Sequence, residues 1–181
     1  MSPGFRPVGE RTVWTGSFIS VAEGDFVAPD GSGFRRDIVH HPGAVAIVPL
    51  LDDGRVVLVR QYRAPCDLEL LEIPAGKLDV DGEPPEAAAR RELVEETGWA
   101  AGSVVELARF YNSAGISDEL THVYLGRDLA PAPPASQGVE EHFSTVETVA
   151  LDDVPRLIAE GELIDAKTIV GLTLTLRAVG G

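Results

Sequence analysis

Cysteine, aromatic side chains and positive charge are all scarce in this 181-residue chain. Its one cysteine, Cys66, cannot form an intrachain disulfide, so a disulfide-stabilised scaffold is excluded and we expect a reducing, cytoplasmic location. Lysine and arginine number 15 against 29 aspartate and glutamate residues, a net charge of −14 that disfavours nucleic acid as a partner. No apolar run approaches the roughly 18 residues of a membrane span, and the N-terminus has no apolar signal-peptide core, so no membrane association is predicted.

The remaining composition is ordinary for a globular protein, with 44% hydrophobic and 24% charged residues. This length suits one domain, or one domain with a small appendage. The acidic balance alone is explained by solubility. An acidic protein that handles an anionic phosphate would nevertheless need a cation, because like charges repel.

The pattern of apolar and turn residues along the chain predicts mostly short strands. Residues 11–24 predict one strand, residues 25–41 a hairpin around PDGSG, and residues 44–51 and 55–62 a second hairpin around DDG. Residues 67–73, VVELARFYN, LTHVYLGRDL and STVETVAL predict further strands. Helices are predicted over residues 84–97, DDVPRLIAEGEL and AKTIVGLTLTLRAVG. We therefore expect an α/β fold with helices packed on the faces of a mixed sheet.

The predicted helix over residues 84–97 carries an unusual row of carboxylates. Glu92, Glu95 and Glu96 stand at positions i, i+3 and i+4, so their side chains share one helix face, where like charges repel. Taken alone, such a face is most often simply solvated. A hard divalent cation such as Mg²⁺, which prefers oxygen ligands, would remove the repulsion.

The residues around this row resemble the Nudix box, whose pattern is G-x5-E-x7-R-E-U-x-E-E-x-G-U with U apolar. The matching positions are Gly76, Glu83, Arg91-Glu92-Leu93, Glu95-Glu96 and Gly98-Trp99. One departure is that six residues, rather than five, separate Gly76 from Glu83, which puts the conformation of the loop and the assignment of Glu83 in doubt. Glu83 is expected to open the helix, where a role in capping the helix and a role at the metal both remain open.

The resemblance extends over roughly residues 11–177 and is closest to the ADP-ribose pyrophosphatase branch of the family. VLVRQYRAP, LLEIPAGK and YNSAGISDELTHVYL carry it. That branch usually has Ser-Pro-Gly where this chain has Ser113-Ala114-Gly115, which leaves substrate preference open. The resemblance implies a Nudix α/β/α sandwich with a mixed sheet. It also implies an N-terminal strand segment, residues 1–40, that exchanges between the chains of a homodimer, followed by a hydrolase domain over residues 41–181.

The resemblance also implies roles for the residues of the box. Glu92 and Glu96, with the main-chain carbonyl of Ala75, are expected to bind the metal. Glu95 is expected either to bind metal or to accept a hydrogen bond from Arg91. Arg91 itself would orient these carboxylates, the alternative being an ordinary surface pair.

Outside the box, the resemblance places the general base on the loop after the Pro-rich stretch, as Glu140 or Glu141. Arg36 and Arg63 are candidate phosphate-binding residues, because the guanidinium fork matches phosphate oxygens. Glu119 is a candidate for binding a ribose hydroxyl or a metal.

The function implied is hydrolysis of ADP-ribose to AMP and ribose 5-phosphate with Mg²⁺ or Mn²⁺. Two alternatives stay open. One is a Nudix hydrolase for another small-molecule nucleoside diphosphate compound, dinucleotide or nucleoside triphosphate. The other is a sensor that binds ADP-ribose without cleaving it, which the complete box and the absence of room for a second domain disfavour.

Overall fold

The computed structural model describes residues 4–133 and 143–180, which form two units. One unit holds the described residues up to Gly43 together with Tyr111–Leu120, and the other holds Ala44–Phe110 and the described residues from Thr121 onward. Among the residues described, none of the helices has the length and apolarity that a membrane span requires.

The N-terminal unit contains a three-stranded antiparallel sheet in the order β1-β2-β3, formed by Arg6–Thr15, Ser20–Val27 and Gly33–His40. The predicted hairpin around PDGSG is confirmed as β2 and β3. The single strand predicted over residues 11–24 is wrong, because the chain turns between β1 and β2 and Gly16 N–H donates to the carbonyl of Ile19 at 2.8 Å. A Cβ on Gly16 would lie 2.3 Å from the far end of the Trp14 ring, so a larger residue in this turn would displace that ring.

The second unit contains two sheets. An antiparallel sheet has the order β10-β5-β6, and a mixed sheet has the order β7-β4-β9-β8 with β4 and β9 parallel. The strands are β4 Ala44–Pro49, β5 Arg55–Arg63, β6 Leu68–Glu72, β7 Ala75–Lys77, β8 Trp99–Tyr111, β9 Leu120–Pro131 and β10 Thr145–Ala150.

The predicted hairpin around DDG is wrong, since β4 and β5 belong to different sheets and share only the isolated bridge between Leu50 and Val56. Nearly every residue of β4 is buried, as expected of a strand that lies between β7 and β9 and is covered on both faces.

Three helices occur among the described residues: α1 Pro85–Thr97, α2 Val154–Ala159 and α3 Ala166–Val179. All three were predicted. The helix α2 is shorter than its predicted range, because Leu151–Asp153 form a 3₁₀ turn and Gly161 adopts a φ of 76° shortly after the helix ends.

Helices α1 and α3 cover opposite faces of β4. Ala88, Ala89 and Leu93 of α1 pack with Val45 and Ile47 in one core cluster. Leu172 of α3 packs with the alternating residues Ala46 and Val48 in another. Because successive strand residues face opposite sides, the mixed sheet lies between the two helices, which confirms the expected α/β/α sandwich.

Candidate metal and phosphate site

Helix α1 is anchored by its apolar face and ends at a fixed point, so its carboxylates have defined positions. Ala88, Ala89 and Leu93 are fully buried. The helix ends at Gly98, which adopts a left-handed φ of 69° and donates its N–H to the carbonyl of Val94 at 3.0 Å. Glu92, Glu95 and Glu96 therefore project from a helix that cannot rotate without exposing its core residues.

Two of these carboxylates converge on the backbone of Ala75–Gly76, at the start of β7. Glu96 Oε2 accepts a hydrogen bond from the N–H of Ala75 at 3.1 Å. A Cβ on Gly76 would lie 2.0 Å from both Cδ and Oε1 of Glu92, so the Glu92 carboxyl group occupies the space that any larger residue would fill. Glycine is thus required here for close approach of the carboxylate to the main chain.

Arg91 binds three carboxylates at once. Its Nε and Nη2 donate to Glu83 at 3.1 and 3.0 Å, and its Nη1 donates to Glu92 at 2.8 Å and to Glu95 at 2.9 Å. The hydrogen bonds with Glu83 are the main reason that the pKa of Arg91 is raised, and the same bonds lower the pKa of Glu83. Arg91 is therefore a permanent cation that fixes the orientation of Glu92 and Glu95.

The position of Glu83 differs from the prediction that this residue opens the helix. The helix begins at Pro85, after Pro84 as its N-cap residue, and has no side-chain hydrogen bond at the cap. Glu83 lies before the helix and instead binds Arg91 through both carboxylate oxygens. The capping role is wrong. Helical spacing predicts only the i,i+4 partner Glu95 for Arg91, so it does not reveal the contact with Glu83 eight residues away.

The donor atoms at this point suit a hard divalent cation. Glu92 and Glu96 supply carboxylate oxygens beside Ala75, whose carbonyl is the oxygen ligand expected from the main chain. Within residues 4–133 and 143–180, no group of three or more His, Cys, Asp or Glu side chains is arranged to hold a metal. The expected site has only two carboxylates, those of Glu92 and Glu96, together with a backbone carbonyl. These metal ligands stay a prediction.

Arg63, at the end of β5, is held by a carboxylate that the sequence analysis did not single out. Glu72 is fully buried and accepts from Arg63 Nε at 2.8 Å and Nη2 at 2.7 Å. Hydrogen bonding to Glu72 is the main cause of the raised pKa of Arg63. The signal was available in the sequence, because Glu72 interrupts the apolar run of LELLEIP and a buried carboxylate needs a partner.

Arg36 and Glu119 lie in the N-terminal unit. The Arg36 guanidinium lies over the Phe34 ring, 4.9 Å from its centroid, and donates to the carbonyl of Arg35 at 2.8 Å. The N–H of Glu119 binds the Ser117 hydroxyl at 3.1 Å. Their proposed roles with phosphate, ribose or metal stay predictions.

Next to Glu119, Asp118 contacts a histidine to which no role was assigned. His40 Nδ1 lies 2.5 Å from Asp118 Oδ2, and its Nε2 lies 2.8 Å from Glu10 Oε1. These hydrogen bonds, that with Asp118 first, raise the pKa of His40. His40 therefore links β1 to the loop that carries Glu119. Glu140 and Glu141, the candidate general bases, lie outside the described residues.

Comparison with known proteins agrees with this geometry. The family model described as the NUDIX domain matches residues 40–170. The chain is 38% identical over 163 residues to "ADP-ribose pyrophosphatase" of Bacillus subtilis, covering 90% of this chain and 88% of the relative. It is 35% identical over 167 residues to "Methanol dehydrogenase activator" of Bacillus methanolicus, covering 92% and 90%.

A solved structure titled "Crystal structure of ADP compounds hydrolase" superposes with a TM-score of 0.84 and 22% sequence identity, covering 97% of this chain and 96% of that one. It supports the fold. The family match spans most of the chain and includes the carboxylates of α1, Arg91 and Gly76. The chain therefore belongs to the Nudix family of pyrophosphohydrolases.

Proposed function

We propose that this Nudix pyrophosphohydrolase cleaves ADP-ribose to AMP and ribose 5-phosphate with Mg²⁺ or Mn²⁺. The observation that carries the proposal is the convergence of Glu92 and Glu96 on the backbone of Ala75–Gly76. The choice of ADP-ribose is supported by the relative from Bacillus subtilis that bears this activity in its name.

In the proposed reaction, the acidic residues bind the cation or accept a proton, and the arginines bind carboxylates or phosphate. Glu92 and Glu96 would hold the cation together with the Ala75 carbonyl, and Arg91 keeps the Glu92 and Glu95 carboxylates in place. A bound divalent cation supplies neutralisation of phosphate charge and activation of water. Arg63 presents a guanidinium whose fork geometry matches phosphate oxygens. Glu140 or Glu141 would accept the proton of the attacking water, and Arg36 and Glu119 would contribute to substrate binding.

A substrate panel with isotope-labelled water tests this function. Wild-type protein and Glu96→Gln are incubated with ADP-ribose, ADP-glucose, a flavin dinucleotide and a nucleoside triphosphate, with Mg²⁺ or Mn²⁺, and the products are identified by mass spectrometry. We expect wild type to convert ADP-ribose with the highest kcat/KM, to place ¹⁸O in one of the two monophosphate products, and to lose this activity in the variant. Preference for another compound in the panel would overturn the substrate, and binding of ADP-ribose without turnover would indicate a sensor.

We also propose a homodimer formed through the N-terminal strands. All ten residues of β1 are exposed, including the large apolar side chains of Val8, Val13 and Trp14. The strand is also at the edge of its sheet, where unpaired backbone groups are ready to pair with a second chain. Light scattering of wild type should give the mass of a dimer, and Trp14→Glu should shift it toward a monomer. An unchanged dimer in the variant, or a monomeric wild type, would contradict this arrangement.

A further inference from the structure

Arg63 belongs to a group of four charged side chains, and the other three are mostly buried. Glu72 has a side-chain exposure of 1% and accepts from Arg63 on one side and from Lys167 Nζ on the other. Lys167 also contacts Asp165 at 3.0 Å, and both are mostly buried. Two anions and two cations thus balance in charge, which makes their burial tolerable.

Part of this group has a plain structural role. Asp165 caps helix α3 by accepting from the N–H of Thr168 at 2.9 Å and from its hydroxyl at 2.7 Å. The Thr168 hydroxyl in turn accepts from the N–H of Ile73 at 3.0 Å. These bonds join the start of α3 to the end of β6, and they require neither Glu72 nor Lys167.

The contacts between Glu72 and Arg63 are not needed for the connection between α3 and β6. Glu72 takes the edge of the guanidinium formed by Nε and Nη2, while the Arg63 side chain stays 38% exposed. Arginine has five N–H groups, so this fork leaves the Nη1 edge to bind a second anion. One edge of the guanidinium is therefore fixed by a buried carboxylate, and three of its five N–H groups remain for a second anion.

The carboxylate of Glu72 also binds a second cation. Lys167 shares Glu72 Oε2 with Arg63, so the negative charge of Glu72 is divided between two cations and Arg63 keeps its capacity for another anion.

We propose that Glu72 and Lys167 are positioning residues for substrate binding: they hold the Arg63 guanidinium with its free edge toward the diphosphate. This inference rests on the proposed function, in which Arg63 binds the diphosphate. Neither residue needs to touch the substrate, and both act through Arg63.

Steady-state kinetics and binding test the proposal in the full-length protein with Glu72→Gln, Lys167→Met and Arg63→Ala. Kd is measured by calorimetry with ADP-ribose whose bridging oxygen is replaced by methylene, so binding is observed without turnover. Glu72→Gln and Lys167→Met should each raise KM and Kd about tenfold or more, the scale of one hydrogen bond to a charged group, and should change kcat much less. In the Arg63→Ala background, Glu72→Gln should add less than about twofold, because its effect passes through Arg63.

Thr168→Val is the matched structural control, because it breaks the connection between α3 and β6 without touching Arg63. It should lower the melting temperature and leave KM and Kd unchanged. Equal increases in Kd for Thr168→Val, or an undiminished effect of Glu72→Gln without Arg63, would overturn the proposal. If Glu72→Gln does not fold, Lys167→Met decides by the same criteria. If wild type cleaves another compound of the panel, only the substrate is wrong, and the same variants are measured with that compound.

Discussion

Gly76→Ala is the sharpest test of where the Glu92 carboxylate must lie. The new Cβ would lie 2.0 Å from Cδ and Oε1 of Glu92, whereas an unstrained contact needs about 3.5 Å. The carboxyl group must therefore move by roughly 1.5 Å, which exceeds the tolerance of Mg²⁺ for its ligand geometry. Gly76 is not among the glycines with positive φ, so alanine introduces no backbone strain. We expect kcat to fall about 10²-fold, the scale of an ångström-sized misplacement, and the free energy of unfolding to change by about 1 kcal/mol or less.

The assay measures kcat and KM for ADP-ribose over a range of Mg²⁺ concentrations, with thermal unfolding as the check on folding. The variant should also need more Mg²⁺ for half-maximal rate, because the displaced group is a metal ligand. Gly33→Ala is the matched control, since a Cβ there meets only the Phe26 carbonyl at 3.9 Å. If Gly76→Ala keeps kcat within about threefold of wild type at saturating Mg²⁺, the Glu92 carboxylate is not a required ligand at this position.

Four other titratable side chains give further tests. Glu96→Gln keeps an acceptor for the Ala75 N–H but loses the charge, so kcat should fall at least ~10²-fold with little change in melting temperature, and a near-normal kcat would contradict the metal role. Glu140→Gln should lower kcat by about 10²–10⁴-fold with little change in KM and Glu141→Gln much less; the reverse order would make Glu141 the base. Hydrogen bonds with Asp118 and Glu10 raise the pKa of His40 above its ordinary value of 6.5. The charged histidine thus stabilises the fold fully below pH 6.5, and this contribution is lost as pH rises through the folded-state pKa. The melting temperature of wild type minus that of His40→Gln should therefore shrink with rising pH, and a constant difference would refute this.

The elements that the sequence predicts well are those whose signals are local. The part of the box from Arg91 to Glu96 lies on one helix, and the prolines at its N-terminus and Gly98 at its C-terminus mark the helix ends within a residue or two. The strands predicted in the second unit are confirmed, although β8 begins at Trp99, before its predicted start.

Strand pairing was harder to predict, because partners are not local. The runs that became β4 and β5 have the pattern of a hairpin, yet the neighbours of β4 are β7 and the distant strand β9. A strand that is buried on both faces has no alternation of apolar and polar residues, so its sequence gives no information about which strand it pairs with. The turn between β1 and β2 is also hard to predict, because the ring of Trp14 lies close to its glycine and that contact becomes visible only in three dimensions.

In the site, too, local relations could be predicted from the sequence and contacts between distant residues could not. The sequence placed Glu92, Glu95 and Glu96 on one face correctly, because helical spacing fixes that relation. It did not connect Glu72 with Lys167, since 95 residues separate them in the chain. Contacts of this kind depend on how α3 docks on the sheet, and no spacing rule gives that docking.

The charges of the site explain why a metal and Arg63 have separate tasks. Glu83, Glu92, Glu95 and Glu96 carry four negative charges, and Arg91 contacts the first three with a single positive charge. Four negative charges and one positive charge leave −3, and a divalent cation would reduce this to −1. Arg63 makes its ion pair with Glu72 instead, and Lys167 shares the same carboxylate. The helix face therefore depends on a cation for its neutralisation, whereas the free edge of Arg63 remains available to an anionic substrate.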